Sequence, residues 1–247
     1  MRIAVISDIH SNVFALESVL ENIKKQNIDL ILNLGDILYG PIAPKETYEL
    51  ISSENIISIS GNQDRQIHEA KKSDIELNPT LKFILEDLGT EPLNWLKTLP
   101  FEKRISSEIY LCHGTPKSDL EYLLENVESG YSLLKKDGEI IRSLNGETSR
   151  IVLCGHTHIF RSVMLSTNQI VLNPGSVGLP AYKDDEPIVH AMENYIPYAS
   201  YAIIEKQGED WEISNKKIPY KLEKAVEEAK KKGREDWAFY LRTGRVL

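Results

Sequence analysis

The chain has 247 residues, of which 41% are hydrophobic and 27% charged, and its formal net charge is −8. This length accommodates one large α/β domain or two small ones, and the composition is that of an ordinary soluble globular protein. The acidic balance argues against an extended nucleic-acid partner, because binding to a polyanion depends on clustered lysine and arginine, and no apolar run is long enough to cross a membrane.

Short apolar runs in the first half predict strands that alternate with helices. The strands are predicted at Ile3–Ser7, Leu30–Leu34 and Ile56–Ser60. After the first strand, apolar residues recur at helical spacing and predict a helix that contains Val13, Leu16, Val19, Leu20 and Ile23. A second helix is predicted near Lys45–Ser52. This βαβαβ order implies parallel strands that are joined by right-handed crossovers.

The second half has a different pattern, in which strands are joined by short connections. Six strands are predicted there: Ile109–Cys112, Ile151–Cys154, Phe160–Leu165, Gln169–Leu172, Ala199–Glu205 and Trp211–Lys217. They suggest a second, more antiparallel sheet, with a hairpin tip at Thr167-Asn168. The polar stretch Lys183–Pro197 is predicted to be a long loop, and such loops often act as lids over a site.

Two helices are predicted near the C-terminus, at about 221–232 and 235–241. The second helix contains the apolar residues Trp237, Phe239, Tyr240 and Leu241. These side chains are apolar enough to pack on the core or on a second subunit, so the sequence leaves a homo-oligomer open. Two packed sheets with helices outside bury both faces of each sheet. We therefore predict an α/β fold with one domain over residues 1–247, a four-layer αββα sandwich of two mixed β-sheets flanked by helices.

The N-terminus and the cysteines predict a cytoplasmic location. The first residues already form a predicted strand that leads into a motif, so they are not expected to be a signal peptide. The two cysteines, Cys112 and Cys154, each lie inside an apolar run. This placement favours buried thiols in a reducing compartment over a disulfide framework.

Five short motifs lie at or just after predicted strands: Asp8-Ile9-His10, Gly35-Asp36, Gly61-Asn62, His113-Gly114 and Gly155-His156-Thr157-His158. Together they contain seven candidate metal ligands: Asp8, His10, Asp36, Asn62, His113, His156 and His158. Oxygen ligands and imidazoles in one cluster suit a pair of divalent transition metals better than a single structural zinc. Two-metal sites are suited to the hydrolysis of phosphate esters and anhydrides.

The predicted topology brings these motifs together. Asp8, Asp36 and Asn62 lie just past the ends of three parallel strands, where open α/β sheets bind ligands. Alternation along an extended segment is expected to put His156 and His158 on one side. Any one of these residues is equally well explained as a structural residue, but four of the six histidines lie in the motifs, which favours a shared function.

In this order the motifs resemble the calcineurin-like metallophosphoesterase superfamily, and within it the small prokaryotic (YfcE-like) type with a minimal αββα core. The segments Gly35–Pro41 and Asn173–Gly178 also resemble that subgroup. The second is expected to support the histidine loop, with Ser176 as a candidate contact behind the ligands. The resemblance implies two ligand sets and one shared bridging ligand: Asp8, His10 and His158; Asn62, His113 and His156; and Asp36 between them.

The resemblance also implies a cofactor and an activity. The cofactor is two divalent metal ions, Mn, Fe or Zn, with Mn favoured in vitro and a water or hydroxide bridging them. The activity is hydrolysis of phosphodiesters or phosphoanhydrides of a small phosphorylated substrate, dinucleoside polyphosphates included, without a membrane or extended nucleic acid as partner. The candidate catalytic residues are Asp36, Asn62, His113 and Asp64.

The chain departs from the superfamily at Gln63, where much of the family has a histidine that is thought to protonate the leaving group. Glutamine donates a hydrogen bond but does not deliver a proton at neutral pH. We therefore expect a preference for aryl esters and anhydrides over alkyl monoesters. Two other histidines are alternative acids: His68, more simply explained as a helix surface residue, and His190, more simply explained as an exposed residue of the long loop.

Three residues are candidates for substrate binding. Gln63 follows the asparagine ligand directly. Arg65 can clamp a phosphate bidentately, or pair with Asp64 or Glu69. Asn12 precedes the first helix and is more simply explained as its N-cap, although a helix N-terminus beside metals also favours an anion.

Two other functions remain open on the sequence. One is a phosphoprotein phosphatase, which needs an open groove that the stretch Lys183–Pro197 is expected to restrict. The other is a non-catalytic interaction module on the same fold. A module of that kind is expected to have lost metal ligands, whereas all seven are present here.

Overall fold

The computed structural model describes residues 1–247. It contains fourteen strands: β1 (Arg2–Ile6), β2 (Leu30–Asn33), β3 (Ile56–Ser58), β4 (Glu102–Arg104), β5 (Ile109–Cys112), β6 (Glu125–Asn126), β7 (Leu133–Leu134), β8 (Ile151–Leu153), β9 (Phe160–Met164), β10 (Ile170–Pro174), β11 (Ala181–Asp184), β12 (His190–Glu193), β13 (Ala199–Gln207) and β14 (Asp210–Ile218). It contains nine helices: α1 (Val13–Ile23), α2 (Pro44–Ser53), α3 (Asn62–Glu69), α4 (Lys72–Leu77), α5 (Pro79–Leu88), α6 (Thr90–Leu96), α7 (Asp137–Ser143), α8 (Leu222–Lys231) and α9 (Glu235–Thr243).

Ten of the strands form two five-stranded mixed sheets. The first has the order β14-β13-β1-β2-β3, in which β1, β2 and β3 are parallel and β13 and β14 are antiparallel to their neighbours. The second has the order β4-β5-β8-β10-β9, with a parallel centre and one antiparallel strand at each edge. The predicted parallel strands of the first half and the hairpin tip between β9 and β10 are confirmed.

The alternation of side chains along β1 explains the layers. Ile3 and Val5 pack between the two sheets, whereas Ala4 and Ile6 pack on the opposite face against α1. The outer face of the second sheet packs against α7 through Ile140. The order of layers is therefore helices, sheet, sheet and helix, which confirms the predicted αββα sandwich. Cys112 and Cys154 are buried in the outer layer beside α7, as free thiols.

The last two long strands are not in the sheet that their pattern suggested. We expected the predicted strands Ala199–Glu205 and Trp211–Lys217 to belong to the second sheet, but β13 pairs antiparallel with β1, and Arg2 lies opposite Glu205. Periodicity identifies a strand but not its neighbour. Here the alternating apolar residues of β13, Ala202 and Ile204, fill the inter-sheet core from the side of β1.

The prediction of a long loop over Lys183–Pro197 is only partly right, because residues 183–184 and 190–193 belong to the strands β11 and β12 of a two-stranded hairpin, whereas residues 185–189 and 194–197 are irregular. The histidine in this stretch is not exposed: His190 is 2% exposed, with Nε2 lying 2.8 Å from the hydroxyl of Tyr122 and Nδ1 lying 2.7 Å from the carbonyl oxygen of Ile188. The partner Tyr122 lies 68 positions earlier in the chain, so local polarity gave no sign of this burial.

The C-terminal helices pack on the same chain. Trp237, Ala238 and Leu241 of α9 are buried in a cluster with Val13 and Leu179. The two packing alternatives that the sequence left open are therefore resolved in favour of the core. None of the nine helices combines the length and apolarity that a membrane-spanning segment needs.

Candidate metal centre

All seven predicted ligands converge at one edge of the sandwich. In the first sheet they lie after β1, β2 and β3, and in the second sheet after β5 and β8. Because the carboxyl ends of the parallel strands in both sheets meet there, residues far apart in the chain form one cluster. The whole set is buried or half-buried: Asp8, His10, Asp36, Asn62, His113, His156 and His158.

The ligand loops have an unusual backbone. Five ligand residues have left-handed φ values: Asp8 (55°), His10 (50°), Asp36 (54°), His156 (70°) and His158 (61°). Such conformations cost roughly 1–3 kcal/mol per residue and persist where the surroundings enforce them. Here the enforcing bonds join neighbouring loops, since Asp8 N donates to Gly35 O and His10 N donates to Asp36 O, both at 3.0 Å.

Asp8, His10 and His158 form the first ligand group, with one donor atom from each lying within 4.8 Å of the others. His158 Nε2 lies 3.4 Å from Asp8 Oδ1 and 2.9 Å from His10 Nε2. Asp8 is fully buried, and neither of its carboxylate oxygens has a hydrogen-bond partner. A buried carboxylate without a donor is costly, so this group is suited to a cation.

Asp36, His113 and His156 form the second ligand group. His113 Nε2 lies 3.4 Å from Asp36 Oδ2 and 3.0 Å from Asn62 Oδ1. The same Asp36 oxygen lies 4.0 Å from His10 Nε2 of the first group. Asp36 thus stands between the two groups, in the position that the resemblance implies for a bridging ligand.

Backbone carbonyls orient the imidazole rings. In three histidines Nδ1 lies at hydrogen-bond distance from a carbonyl oxygen: His10 from Tyr39 (3.0 Å), His113 from Leu34 (2.7 Å) and His158 from Leu179 (2.7 Å). His156 has the opposite arrangement, because its Nε2 lies 3.2 Å from Leu120 O. When one ring N–H of a neutral imidazole donates to a carbonyl oxygen, the other ring nitrogen carries a lone pair that is available to a metal. Three rings therefore present Nε2 to the cluster, and His156 presents Nδ1.

The surroundings of two of these rings favour the neutral imidazole at neutral pH, which keeps a nitrogen lone pair. Burial and the neighbouring His158 lower the pKa of His10 to about 4. Burial and the neighbouring His113 lower the pKa of His156 to about 4. For His113 burial acts in the same direction, but the charge of Asp36 outweighs it and raises the pKa to about 10. Burial raises and His113 lowers the pKa of Asp36, and the lowering dominates, so Asp36 is ionised and attracts cations.

Two glycines allow the loops that carry Asp36 and Asn62 to touch. Gly35 has φ +98°, and a Cβ there would lie 2.4 Å from Gly61 N. A Cβ on Gly61 would lie 2.1 Å from Asp36 Oδ1. No side chain larger than hydrogen fits at either position without moving the ligand loops.

The predicted catalytic residue Asp64 lies behind the ligands. It is fully buried and accepts hydrogen bonds from the backbone N–H groups of Gly61, Ile37 and Leu38, at 3.1, 2.9 and 3.3 Å. Burial and the charge of Asp36 raise its pKa to about 7. These contacts indicate a positioning role, in which Asp64 ties the Asp36 loop to the start of α3.

The three predicted substrate-binding residues differ in position. Gln63 lines the cavity at the ligand cluster, and its side-chain oxygen has no partner. Asn12 is fully buried. Its Oδ1 accepts from Ala15 N and so caps α1, and its Nδ2 donates to Gly178 O and Tyr220 Oη. The structure therefore favours the N-cap explanation for Asn12 over a substrate contact.

Arg65 forms an ion pair that the sequence did not suggest. Its Nε and Nη2 donate to the two carboxylate oxygens of Asp119 at 2.7 and 2.9 Å, and its Nη1 lies 3.4 Å from Glu69. Asp64, one of the two expected partners, is not involved. The bidentate pair with Asp119 occupies the Nε/Nη2 edge of the guanidinium, which is one of its two edges able to clamp a phosphate.

Neither stray histidine lies where a proton donor is needed. His68 is in the last turn of α3, six residues beyond Asn62 and thus roughly 9 Å along the helix axis. The two ring nitrogens of His190 are engaged by Tyr122 and Ile188. Neither histidine lines the cavity at the ligand cluster.

The turn Asn173–Ser176 supports the ligand loops as expected. Asn173 Nδ2 donates to Gly155 O at 2.6 Å and to Thr157 Oγ1 at 3.0 Å. Ser176 Oγ donates to Asp8 O at 2.7 Å. One expectation about the histidine loop is wrong, because residues 154–159 are irregular and do not continue β8 as an extended segment. His156 and His158 converge through left-handed backbone rather than through strand alternation.

A cavity of about 270 Å³ lies over the ligands, and the C-terminal region forms one of its walls. The Trp237 ring centroid lies 5.8 Å from that of His10. Arg234 is paired with Asp236 at 2.8 and 2.6 Å and lies over Trp237. The motifs did not indicate that these wall residues belong to the site, because the residues lie more than 70 positions from the motifs and carry no motif of their own.

Two comparisons of the sequence with known proteins identify its family. Residues 1–194 match the model of the calcineurin-like phosphoesterase superfamily domain. The uncharacterized protein MJ0912 of Methanocaldococcus jannaschii is 31% identical over 251 residues, which cover 95% of this chain and 94% of that protein.

A solved structure shows the same fold. A metallophosphoesterase from Sphaerobacter thermophilus has a TM-score of 0.74 at 24% identity, and the match covers 99% of both chains. The phosphoesterase YfcE of E. coli is more distant, with a TM-score of 0.46 at 19% identity over 89% of this chain and 100% of that one. On the family match and the relative, the chain belongs to the calcineurin-like phosphoesterase superfamily.

Proposed function

We propose that the protein is a phosphoesterase dependent on two metal ions, which hydrolyses phosphodiesters or phosphoanhydrides of small compounds. The observation that carries this proposal is the arrangement of the two ligand groups about Asp36, whose Oδ2 faces His113 at 3.4 Å and His10 at 4.0 Å. The unpartnered buried carboxylate of Asp8 supports it.

In this proposal the residues have distinct roles. Asp8, His10 and His158 would hold the first ion, Asn62, His113 and His156 would hold the second, and Asp36 lies between the two groups. Two divalent ions supply Lewis acidity to a phosphoryl oxygen and lower the pKa of a bound water. This donor set accepts Mn, Fe or Zn.

Residues behind the ligands hold them in place. The carbonyl oxygens of Tyr39, Leu34 and Leu179 keep three rings in one tautomer. The hydroxyl of Tyr182 donates to His156 O at 3.1 Å, and its ring packs on His158 at 4.6 Å. Ligand orientation is therefore set before substrate arrives, which lowers the reorganisation needed during reaction.

The dimensions of the site favour a small substrate. The cavity over the ligands is lined by residues of α9 and of strand β11, and its volume of about 270 Å³ suits a small substrate. The complete ligand set argues against a non-catalytic module. We also propose a cytoplasmic location, because Cys112 and Cys154 are buried free thiols.

Metal removal tests this function. We expect chelator-treated protein to be inactive, and Mn²⁺ to restore hydrolysis of bis(p-nitrophenyl) phosphate more than hydrolysis of p-nitrophenyl phosphate. The assay compares both esters and diadenosine tetraphosphate with Mn²⁺, Mg²⁺, Zn²⁺ and no metal, while bound metal is counted by mass spectrometry. Two bound ions without turnover of any of the three compounds contradicts the proposal.

Replacing Gln63 by histidine tests the missing proton donor. Because Gln63 lines the cavity without a proton to give, the native enzyme is expected to lose rate steeply as the leaving group becomes more basic. Gln63→His should raise the rate for alkyl esters about a hundredfold and leave that for aryl esters nearly unchanged. The matched control is Gln66→His, which lies on the exposed face of the same helix. An equal leaving-group dependence in native protein and Gln63→His contradicts this role.

A further inference from the structure

A second cavity opens on the other side of the ligand cluster. Its volume is about 670 Å³, compared with about 270 Å³ for the cavity under α9. Both cavities are lined by Asn62, His156 and Asp184. A phosphoryl group held at the ligands therefore has space for a substituent on each side. A monoester has one organic substituent to place, whereas a diester has two.

The two cavities differ in charge. Apart from the predicted metal ligands, the smaller one is balanced and is lined by Lys183, Arg234, Asp184 and Asp236. The larger one is lined by five acidic side chains and one ammonium group, from Glu121, Glu125, Glu128, Asp184, Glu186 and Lys135, and only Glu125 of the five is paired with an arginine, Arg161. A concave surface with one excess sign concentrates ligands of the opposite sign. This larger space, the acidic cavity, repels an arm that carries further phosphates.

Glu125 gives the acidic cavity an unsatisfied acceptor. Its side chain lines the cavity although the residue is only 1% exposed. Its Oε1 lies 3.2 Å from Arg161 Nε, but its Oε2 has no hydrogen-bond partner. Leaving a buried carboxylate oxygen unpaired is costly, and burial raises the pKa of Glu125 to about 7 although Arg161 lowers it. A cation in the cavity favours the ionised form of this side chain and offsets part of that cost.

The single ammonium group in the wall offsets only part of the acidic lining. Lys135 Nζ is held in the wall, where it donates to the backbone oxygen of Tyr122. Tyr122 also lines the cavity; it is 7% exposed, and its hydroxyl contacts His190 and Tyr182. An aromatic ring beside carboxylates attracts an alkylammonium group.

We propose that the acidic cavity binds a cationic amino-alcohol arm, so that the substrate class is phosphodiesters in which one esterified alcohol is an alkylammonium alcohol. This inference rests on the proposed phosphoesterase function and narrows it. The diester phosphate lies at the ligand cluster, the cationic arm lies against Tyr122 and the carboxylates, and the second arm lies in the smaller cavity beside Trp237.

A matched pair of substrates tests the proposal. The p-nitrophenyl diesters of phosphocholine and of 3,3-dimethylbutyl phosphate have arms of the same shape, but only the first carries a positive charge. Hydrolysis adds the water oxygen to phosphorus, breaks the bond to p-nitrophenolate, leaves the alkyl phosphate and releases two protons. We expect kcat/KM to be about tenfold higher for the choline diester. Equal values for the pair overturn the proposal.

Charge removal in the cavity supplies the second test. The double variant Glu121→Gln/Glu128→Gln changes two exposed carboxylates and is expected to reduce the choline preference to about twofold or less. The matched control is Glu209→Gln/Glu212→Gln. Glu212 lies opposite Glu205 of β13, and Glu205 lies opposite Arg2 at the start of β1. The two control residues therefore lie at the opposite end of the sheet from Asp8. A preference that persists in the cavity variant, or that falls equally in the control, overturns the proposal.

A binding measurement separates this inference from the proposed function. Choline alone is titrated into chelator-treated protein and followed by saturation-transfer NMR, with 3,3-dimethylbutan-1-ol as the neutral comparison. Choline-selective binding that weakens in the cavity variant supports the inference even without turnover. Turnover of bis(p-nitrophenyl) phosphate without choline selectivity leaves the phosphoesterase intact and contradicts the cationic arm.

Discussion

Asp36→Asn is expected to lower kcat for bis(p-nitrophenyl) phosphate by about a thousandfold or more. Asp36 Oδ2 is the one oxygen that faces both ligand groups, and the amide removes its negative charge. Loss of a shared anionic ligand removes several kcal/mol of transition-state stabilisation. Asparagine keeps the shape of the side chain and still accepts the hydrogen bond from Gln63 N, which is 2.9 Å in the native protein. The fold should therefore persist.

The measurement combines bound-metal stoichiometry, kcat and thermal unfolding of the same preparations. We expect fewer than two ions per chain in Asp36→Asn, with a melting temperature close to that of native protein without metal. The control is Asp210→Asn, at the start of β14, where the carboxylate is exposed. Native activity in Asp36→Asn would mean that the cluster around this residue does not perform the chemistry.

Gly61→Ala is expected to lower both stability and activity, because the new methyl group collides with Asp36, which lies between the two candidate ligand groups. A Cβ at Gly61 would lie 2.1 Å from Asp36 Oδ1 and 2.4 Å from Asp36 N. Its backbone, with φ −95°, is open to alanine, so the effect arises from contact alone. Overpacking of this kind lowers the free energy of unfolding by about 1–3 kcal/mol, and displacing a ligand by about 1 Å lowers kcat about a hundredfold.

Denaturant unfolding, metal content and kcat measure these effects together. Gly138→Ala is the matched control, because a Cβ there lies within helix α7 with its nearest neighbour, Arg142 Nη1, at 3.6 Å. That change is expected to stabilise the protein slightly, since alanine favours helix over glycine. If Gly61→Ala binds metal and turns over substrate like the native protein, the close approach of the two ligand loops is not required for the site.

Much of the site could be predicted from the sequence, and for a physical reason. Parallel strands end at a common edge, so polar residues placed directly after β1, β2 and β3 had to meet. The seven candidate ligands followed from five short motifs without knowledge of any tertiary contact, and the resemblance to the superfamily divided them into two groups. The order of strands and helices in the first half was equally local, because apolar periodicity alone identifies these elements.

Other features depended on contacts between distant residues. Strand β13 was recognisable as a strand, but its place beside β1 follows from packing across the sandwich. The burial of His190 required Tyr122, and the wall over the ligands required α9 to fold back onto α1 and place Trp237 beside His10. No periodicity in the chain encodes these pairings.

The sequence by itself determined which candidate ligands lie together, because strand ends and motif order are properties of short segments. Only the tertiary structure decided how those residues are oriented and what surrounds them. The left-handed backbone at Asp8 and His156 is imposed by hydrogen bonds between loops, and the carbonyl of Leu120 sets the ring of His156. The acidic cavity likewise forms where β6, the β11–β12 hairpin and the loop before Tyr122 come together. Its net charge is set by residues that are distant in the chain, so it exists only after folding.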